Sequence, residues 1–338
     1  MIQVTLMHGL CCQGKFIKEG LDVSQEIDVL VSEVGPRDGL QSIERIMPTE
    51  IKILWIKALA ASGLREIEVG SFVSPHLMPQ MADCATLVRE ANKLENLNVQ
   101  ALVPNLKGAE LAIAAGALKL TMPISASTEH SLNNIGKTPV AAIEEVYRVC
   151  GLRDSLSVEQ RPSIEVGIST AFGCSLEGLV SEDWVIEMAG LLVKAGADRI
   201  GLSDTTGYAN PSQIKRMFRR LRGEIGKKKM AGAHLHNTRG QGLANVVAAL
   251  DVDVTTFDSS LGGLGGCPFA PGATGNIVTE DLVFMLEAMG LHTGIDLDML
   301  IATREVLLTG LPDEVIYGNV PEAGLPKGFT YASGRNII

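Results

Sequence analysis

The strongest constraint on the fold is a recurring junction, at which a helix ends in small residues and glycine and a short strand follows. The clear copies are Ala60-Ala61-Ser62-Gly63 before residues 66–69, Ala114-Ala115-Gly116-Ala117 before residues 120–124, and Lys194-Ala195-Gly196-Ala197 before residues 199–202. Glycine just past the last helical turn takes the left-handed conformation that ends a helix. Helices that alternate with strands predict a parallel sheet.

Eight strands are predicted, each followed by a plausible helix, at residues 28–34, 66–70, 98–103, 119–125, 163–170, 198–204, 229–236 and 254–260. Eight such units predict a closed TIM (β/α)8 barrel. We assign residues 28–300 to this catalytic barrel, 1–27 to an N-terminal extension, and 301–338 to a helical or irregular appendage packed on it. A doubly wound sheet is disfavoured because neither glycine-rich phosphate loop, G-x-G-x-x-G or G-x-x-x-x-G-K-[ST], occurs in the chain.

The helix expected over residues 50–61 shows the apolar pattern of an outer barrel helix. Its apolar residues recur at i, i+3, i+4, i+7 and i+8, which places them on one face of a helix. They are Ile51, Leu54, Trp55, Ala58 and Leu59. We expect this whole stripe to cover the strands.

Charge and cysteine usage exclude several classes of protein. The formal net charge is −10, and the one basic run, residues 215–222 with 227–229, is typical of a solvated helix face. Nucleic acid is therefore not expected as a partner. No apolar stretch reaches the roughly 18 to 20 residues that span a bilayer, so no membrane helix is expected. Six cysteines without a CxxC pair, and no signal-peptide pattern, predict a cytoplasmic protein with reduced thiols.

Polar side chains stand where the predicted strands end, which is where barrels carry their reactive groups. They are Arg37 and Asp38 after strand 1, Glu68 and Ser71 on strand 2, Asn105 after strand 3, Asp204 and Thr205 after strand 6, His234 and His236 on strand 7, and Cys267 and Asn276 after strand 8. We assign substrate contacts to Arg37, Gln41, Ser71, Asn105, Asp204, Thr205 and Arg239.

The His234-Leu235-His236 spacing points to a metal, because residues i and i+2 of a strand face the same side. Asp38 adds a carboxylate ligand, and Asn276 adds an amide oxygen, which is the least constrained of the four assignments. Mixed oxygen and nitrogen ligands suit Mg²⁺ or Mn²⁺, with Zn²⁺ possible. The alternative is a pair of histidines with structural roles only.

Three further residues carry candidate catalytic roles. Arg37 would stabilise an oxyanion that develops as a carbon–carbon bond breaks, with a purely structural salt bridge as the alternative. Glu68 would pair with Arg37 and hold its guanidinium in place. Cys267 lies in the loop Gly262-Gly-Leu-Gly-Gly-Cys-Pro268, which has enough glycine to move as a lid and to deliver a thiol for proton transfer.

These residues give the chain a strong resemblance to the hydroxymethylglutaryl-CoA lyase family of DRE-TIM metallolyases, over about residues 28–300. The matching stretches are residues 33–41 (EVGPRDGLQ), Glu68 with residues 71–75 (SFVSP), 79–83 (PQMAD), 104–108 (PNLKG), Gly207, His234-x-His236, 258–260 (DSS), 262–268 (GGLGGCP), and 275–276 leading into 279–283 (TEDLV).

The resemblance implies cleavage of 3-hydroxy-3-methylglutaryl-CoA to acetyl-CoA and acetoacetate, the chemistry of leucine degradation and ketone-body formation. It implies a metal held by Asp38, His234, His236 and Asn276, an acyl-CoA substrate and a homodimer. Arg37 would stabilise the thioester enolate and Cys267 would transfer a proton. Either His234 or Asp38 would take the hydroxyl proton.

Two departures and three rival functions remain. Asn237-Thr238-Arg239 stands where the family commonly has Asp-Thr-Tyr, and residues 125–130 with 133–134 also differ from its usual strand-4 loop. The acyl group could therefore be another 3-alkyl homologue.

A Claisen-type synthase is disfavoured because too little chain follows strand 8 for a regulatory domain. A 2-oxo acid aldolase would not need the glycine-framed thiol, and a catalytically silent binding barrel would not need a proton-transfer group.

Overall fold

A computed structural model describes residues 27–265 and 275–335 of the chain. Eight parallel strands form a closed barrel in sequence order, and β8 pairs with β1 to close it. The strands are β1 Leu30–Glu33, β2 Glu66–Ser71, β3 Asn98–Leu102, β4 Lys119–Ser125, β5 Ser163–Ser169, β6 Arg199–Asp204, β7 Met230–Leu235 and β8 Thr256–Ser259. The TIM barrel and all eight predicted strands are confirmed.

Eleven α-helices occur in the described part of the chain, and they surround and cap the barrel. They are α1 Thr49–Ala61, α2 Cys84–Ala91, α3 Leu106–Ala114, α4 Thr128–Ile135, α5 Pro139–Asp154, α6 Glu182–Lys194, α7 Pro211–Ile225, α8 Gly242–Leu250, α9 Thr279–Ala288, α10 Leu297–Gly310 and α11 Asn319–Ala323. The glycines of the repeated junction have positive φ, with 102° at Gly63, 90° at Gly116 and 105° at Gly196. The left-handed conformation that the sequence predicts is therefore present at all three helix ends.

The buried face of α1 is rotated from the predicted stripe. Trp55 and Leu59 are fully buried as expected, but Leu54 is 53% exposed and Lys52 is only 1% exposed. The Lys52 ammonium reaches Asp83, at 2.8 Å, and the carbonyl oxygen of Gln80 beside α2. A lysine with these two acceptors can be buried. The buried face of α1 is therefore turned toward α2, and Leu54 is left exposed to solvent.

Buried charges also occupy the barrel interior near the N-terminal ends of the strands. The Lys119 ammonium on β4 lies 3.1 Å from a carboxylate oxygen of Glu66 on β2 and 3.0 Å from one of Glu165 on β5. Asn98 on β3 donates to Glu66 from the other side. We call Glu66, Asn98, Lys119 and Glu165 the interior network.

The C-terminal part of the chain packs against the barrel helices. The predicted boundary at residue 300 falls inside α10, whose Leu307 is fully buried. Tyr331 is also buried, and its hydroxyl accepts a hydrogen bond of 2.9 Å from the backbone N–H of Leu297. In the described residues, every helix is too short or too polar to cross a bilayer.

The basic run of α7 is neutralised by acidic residues on neighbouring elements. Arg216 pairs with Glu182 at 2.6 Å, and Lys215 pairs with Asp251 at 2.6 Å. Arg222 pairs with Asp253 on the loop after α8. The side chains of Lys215, Arg216 and Arg222 are 36 to 52% exposed, as expected for a solvated helix face.

Candidate active site

Arg37 and Asp38 lie on a π-helical turn, Gly35–Gly39, directly after β1. The backbone N–H groups of both residues donate to the carbonyl oxygen of Val34, at 3.1 Å and 2.7 Å. Short π-helical turns are frequent at functional sites. A Cβ on Gly35 would approach the Glu33 carboxylate to 2.5 Å, so glycine is needed for this turn to sit against the strand. The sequence Gly-Pro-Arg-Asp-Gly thus directs two charged side chains to the barrel mouth.

The two halves of the predicted metal site meet in the structure. Asp38, His234 and His236 each offer a ligand atom, and these atoms all lie within 4.8 Å of one another. The Nε2 atoms of the two histidines are 3.1 Å apart, because alternate residues at the end of β7 face the same side. A carboxylate from the first strand end and two imidazoles from the seventh therefore converge on one point.

Asn276 completes the same group. It forms a bridge with His236, which brings the segment after β8 against the end of β7. Its Nδ2 donates to Asp38 at 2.7 Å, while its Oδ1 is buried and has no hydrogen-bond partner among residues 27–265 and 275–335. We call Asp38, His234, His236 and Asn276 the rim cluster.

Burial and charge shift the pKa values within the rim cluster in opposite directions. Burial acts to raise the pKa of Asp38, but the positive charges of Arg37 and of the two histidines hold it well below its usual range. Burial, reinforced by the neighbouring His234, lowers the pKa of His236 to about 4. These two shifts favour a carboxylate at Asp38 and a neutral imidazole at His236. His234 differs: burial acts to lower its pKa, but the hydrogen bond and charge of Asp258 and the charge of Asp38 raise it, so a cation that binds there competes with a proton.

The residues of the rim cluster fit a divalent cation. Two imidazole nitrogens that face each other, a deprotonated carboxylate and a buried amide oxygen without a partner are all electron-pair donors that a cation would satisfy. Mixed oxygen and nitrogen ligation suits Mg²⁺, Mn²⁺ and Zn²⁺ alike.

Arg37 stands beside the rim cluster and is held by two carboxylates. Its Nε donates to Glu68 at 2.5 Å and its Nη1 donates to Asp38. Glu68 also accepts from the hydroxyl of Thr121 on β4, so both its oxygens are occupied. The contact predicted between Arg37 and Glu68 is present.

Several of the predicted substrate-binding residues use their side chains to hold backbone. The Asn105 side chain caps α3 by accepting from Gly108 N at 3.0 Å, and Ser71 Oγ accepts from Val73 N at 3.3 Å. Thr205 Oγ1 accepts from Thr170 N at 2.9 Å. These three side chains therefore shape the loops at the barrel mouth.

Asp204, Arg239 and Gln41 also lie at this end of the barrel. Asp204 Oδ1 accepts from the N–H groups at 208 and 209, while its buried Oδ2 has no partner among the described residues. The Arg239 guanidinium lies 4.5 Å from the ring centroid of Tyr208 and donates to the carbonyl oxygens at 206 and 207. Gln41 Oε1 is also buried without a partner in that part of the chain. Cys267 lies outside the described residues, as do Cys11 and Cys12.

One residue of the site was missed by sequence reasoning. Asp258 on β8 lies beside His234, with its Oδ2 3.0 Å from the histidine Nδ1. The usable signal was its position in strand 8, next to the strand that carries both histidines.

Comparisons with known proteins find similarity over most of the chain. A family model described as HMGL-like matches residues 28–307. Hydroxymethylglutaryl-CoA lyase, mitochondrial, from Gallus gallus is 40% identical over 283 residues, covering 84% of this chain and 93% of that protein. The cytoplasmic 3-hydroxy-3-methylglutaryl-CoA lyase of Rattus norvegicus is 39% identical over 292 residues, covering 84% of each.

A solved structure extends the similarity to the fold. The HMG-CoA lyase of Acinetobacter baumannii, in complex with coenzyme A and 3-methylmalate, matches with a TM-score of 0.81 and 40% identity. The match covers 88% of this chain and 95% of that one. On the family model, the relatives and this structure together, the chain belongs to the HMGL-like family.

Proposed function

We propose that this chain is a metal-dependent carbon–carbon lyase that cleaves 3-hydroxy-3-methylglutaryl-CoA to acetyl-CoA and acetoacetate. The observation that carries the proposal is the convergence of Asp38, His234 and His236 at the mouth of an HMGL-like barrel, with Arg37 beside them. The relatives that share about two fifths of its sequence are named for this reaction.

The rim cluster holds the cation, with Asp38, His234, His236 and the Asn276 amide oxygen as its ligands. Mg²⁺ or Mn²⁺ is favoured because carboxylate, amide and water oxygens suit hard cations. When bound, such a cation supplies Lewis acidity that lowers the pKa of a hydroxyl group and polarises carbonyl oxygens.

The reaction needs one proton removed and one proton returned. Asp38 accepts the proton of the tertiary hydroxyl on a carboxylate oxygen, or His234 accepts it on Nε2 when that nitrogen is not bound to the cation. The resulting alkoxide collapses to the ketone of acetoacetate as the C2–C3 bond breaks. The electron pair of that bond becomes the thioester enolate of acetyl-CoA, and Arg37 faces its oxyanion. Protonation of the enolate carbon, for which Cys267 is the donor, completes acetyl-CoA.

Arg37 is held for this role by Glu68, which leaves its guanidinium with little freedom to turn. Around it, Gln41, Ser71, Asn105, Asp204, Thr205 and Arg239 contact the substrate or shape the loops that do. We also propose that the protein acts as a cytoplasmic homodimer. The relatives include both a cytoplasmic and a mitochondrial protein, so the compartment rests on the lack of a signal-peptide pattern in the sequence. The homodimer rests on the family resemblance alone.

The test is a substrate panel run with and without a chelator. Acetyl-CoA is quantified for the acyl-CoA substrates, and the released 2-oxo acid is quantified for the aldolase substrate. The panel contains 3-hydroxy-3-methylglutaryl-CoA, homologues with longer 3-alkyl groups, and a 4-hydroxy-2-oxo acid as aldolase substrate. We expect acetyl-CoA from the methyl compound, loss of the activity on chelation, and recovery with Mg²⁺ or Mn²⁺. Cleavage of the 2-oxo acid alone would contradict the proposal, and preference for a longer alkyl group would correct its substrate.

The variant His236→Ala joins the panel, since it removes a ligand without touching the outer helices. The Lewis acidity of a bound cation contributes several kcal/mol, so we expect a loss of about 10³-fold or more in turnover. His292→Ala is the matched control, because His292 lies at the opposite end of the barrel, where its carbonyl accepts from Asp28 N and Val29 N. Near-normal turnover in His236→Ala would remove His236 from the site.

A further inference from the structure

Asp258 is a carboxylate that none of the predicted roles uses, and it touches a histidine of the rim cluster. His234 and Asp258 are paired in the register between β7 and β8, so their side chains project together into the barrel. The Oδ2 of Asp258 lies 3.0 Å from His234 Nδ1. Asp258 does not belong to the group whose ligand atoms converge, and its hydrogen bond to that group is made through His234.

This contact decides which nitrogen of His234 carries the proton. A carboxylate can only accept, so the hydrogen bond requires a proton on Nδ1. In the neutral imidazole, a proton on Nδ1 leaves the lone pair on Nε2. Nε2 is the nitrogen that faces His236 at 3.1 Å, at the point where the ligand atoms converge.

The contact also fixes the plane of the ring. The His234 ring is joined to β8 through Asp258 and lies 5.0 Å from the His236 ring, with an angle of 55° between the ring planes. A ring anchored through Nδ1 cannot rotate about χ2 without breaking that hydrogen bond. Its Nε2 therefore stays directed at the convergence point before any ion arrives.

We propose that Asp258 is a positioning residue that holds His234 in the Nδ1-protonated tautomer and thereby raises the affinity of the rim cluster for a divalent cation. The inference rests on the metal site of the proposed function. It assigns Asp258 no contact with the ion or with the substrate, and it adds a fifth residue on which the site depends.

The first test measures the Mn²⁺ affinity of the full chain without substrate. The protein is titrated with Mn²⁺, and the unbound ion is quantified by electron paramagnetic resonance. Loss of an outer hydrogen-bond partner typically weakens metal binding by about 10- to 100-fold, and we expect this for Asp258→Ala. Asp258→Asn keeps an acceptor oxygen, so its affinity should lie between wild type and Asp258→Ala. Asp198→Asn is the matched control, because it removes a carboxylate that pairs with Arg153 at 2.7 Å at the start of β6, away from the barrel mouth.

The second test reads the tautomer itself by NMR of protein labelled with ¹⁵N-histidine, without metal and at a pH well above the histidine range. We expect wild-type His234 to carry its proton on Nδ1, and Asp258→Ala to populate the Nε2-protonated form. A merely structural role would leave this signature unchanged. Wild-type Mn²⁺ affinity and an unchanged tautomer in Asp258→Ala would overturn the inference, while acetyl-CoA release by the wild type would still support the proposed function.

Discussion

The interior network and the rim cluster both bury charged groups inside one barrel, but only the rim cluster leaves bonding capacity unused. In the interior network, Lys119 is shared by Glu66 and Glu165, and Asn98 donates to Glu66. Opposite charges alternate there, and each contact joins a donor to an acceptor. Such an arrangement needs nothing from outside.

The rim cluster is arranged in the opposite way. The Nε2 atoms of His234 and His236 lie 3.1 Å apart and can share at most one hydrogen bond. Asn276 Oδ1 and His236 Nδ1 are buried with no partner in the described chain. Unsatisfied buried acceptors cost free energy unless something binds them. Burial of charge therefore does not identify a functional site here, whereas unpaired acceptors at the C-terminal ends of the strands do.

The largest expected effect comes from breaking the interior network. Lys119→Met removes the only cation that contacts Glu66 and Glu165 among the described residues. Removing one partner of a buried ion pair typically costs about 3 to 5 kcal/mol, because the remaining charge stays buried and uncompensated. We expect the free energy of unfolding, measured by urea denaturation, to fall by roughly that amount.

The same variant separates the two regions by function. Turnover of Lys119→Met, measured at a temperature where the variant is folded, should stay close to wild type, because the interior network contacts no residue of the rim cluster. A variant that is as stable as wild type but inactive would reverse the assignment of the two regions.

Arg37→Lys should give the next largest effect, now on activity. Lysine keeps the charge but lacks the planar guanidinium that can face an oxyanion while Nε remains bonded to Glu68. Loss of one oxyanion-stabilising donor lowers kcat by about 10²- to 10³-fold. Steady-state kinetics should show this loss in kcat with little change in KM.

Arg153→Lys is the matched control for that substitution. Arg153 pairs with Asp198 at 2.7 Å, at the start of β6 and away from the barrel mouth, so kcat should be unaffected. If Arg37→Lys kept wild-type kcat, Arg37 would serve only as a salt bridge within the site.

The fold was predictable because its signals are local. Glycine at a helix end and the short strand after it are read within a few residues, and the closed barrel follows from counting such units. The exposure of Leu54 was not predictable, because periodicity treats all apolar residues of α1 alike. Asp83 and the Gln80 carbonyl decide that Lys52 is buried, and their position depends on how α2 packs.

The convergence of Asp38, His234 and His236 was predictable, because strand parity puts the two histidines on one side and strand ends put all three residues at the barrel mouth. Asp258 was missed because its role depends on the pairing register of β7 with β8. Thr205 illustrates the converse: a hydroxyl at a strand end is visible in the sequence, but not that a backbone N–H, that of Thr170, already uses it.

Glu33 on β1 and Asp38 on the turn after it are both buried carboxyl groups, but their pKa values shift in opposite directions. Arg37 holds the pKa of Asp38 low, whereas burial raises the pKa of Glu33 to about 8. The Glu33 carboxyl accepts from the N–H groups of Gly35 and Leu261 and meets the Thr279 hydroxyl, with no cation among these partners. The raised pKa favours the protonated carboxyl at neutral pH.

The smallest expected effect follows from Glu33→Gln, since glutamine has the shape and the hydrogen-bonding groups of protonated glutamate. The pKa of Glu33 is about 8 in the folded protein and 4.5 in the unfolded chain. At pH values between these two, folding is therefore coupled to the uptake of a proton. The stabilisation is complete below the unfolded pKa and is lost as pH rises through the folded one, by at most about 1.4 kcal/mol per pH unit. Urea denaturation across this range should show that loss in wild type and a flatter profile in Glu33→Gln. If the free energy of unfolding depended on pH in the same way in both proteins, Glu33 would be ionised in the folded protein. Its buried carboxylate would then be stabilised by hydrogen-bond donors alone, without a cation.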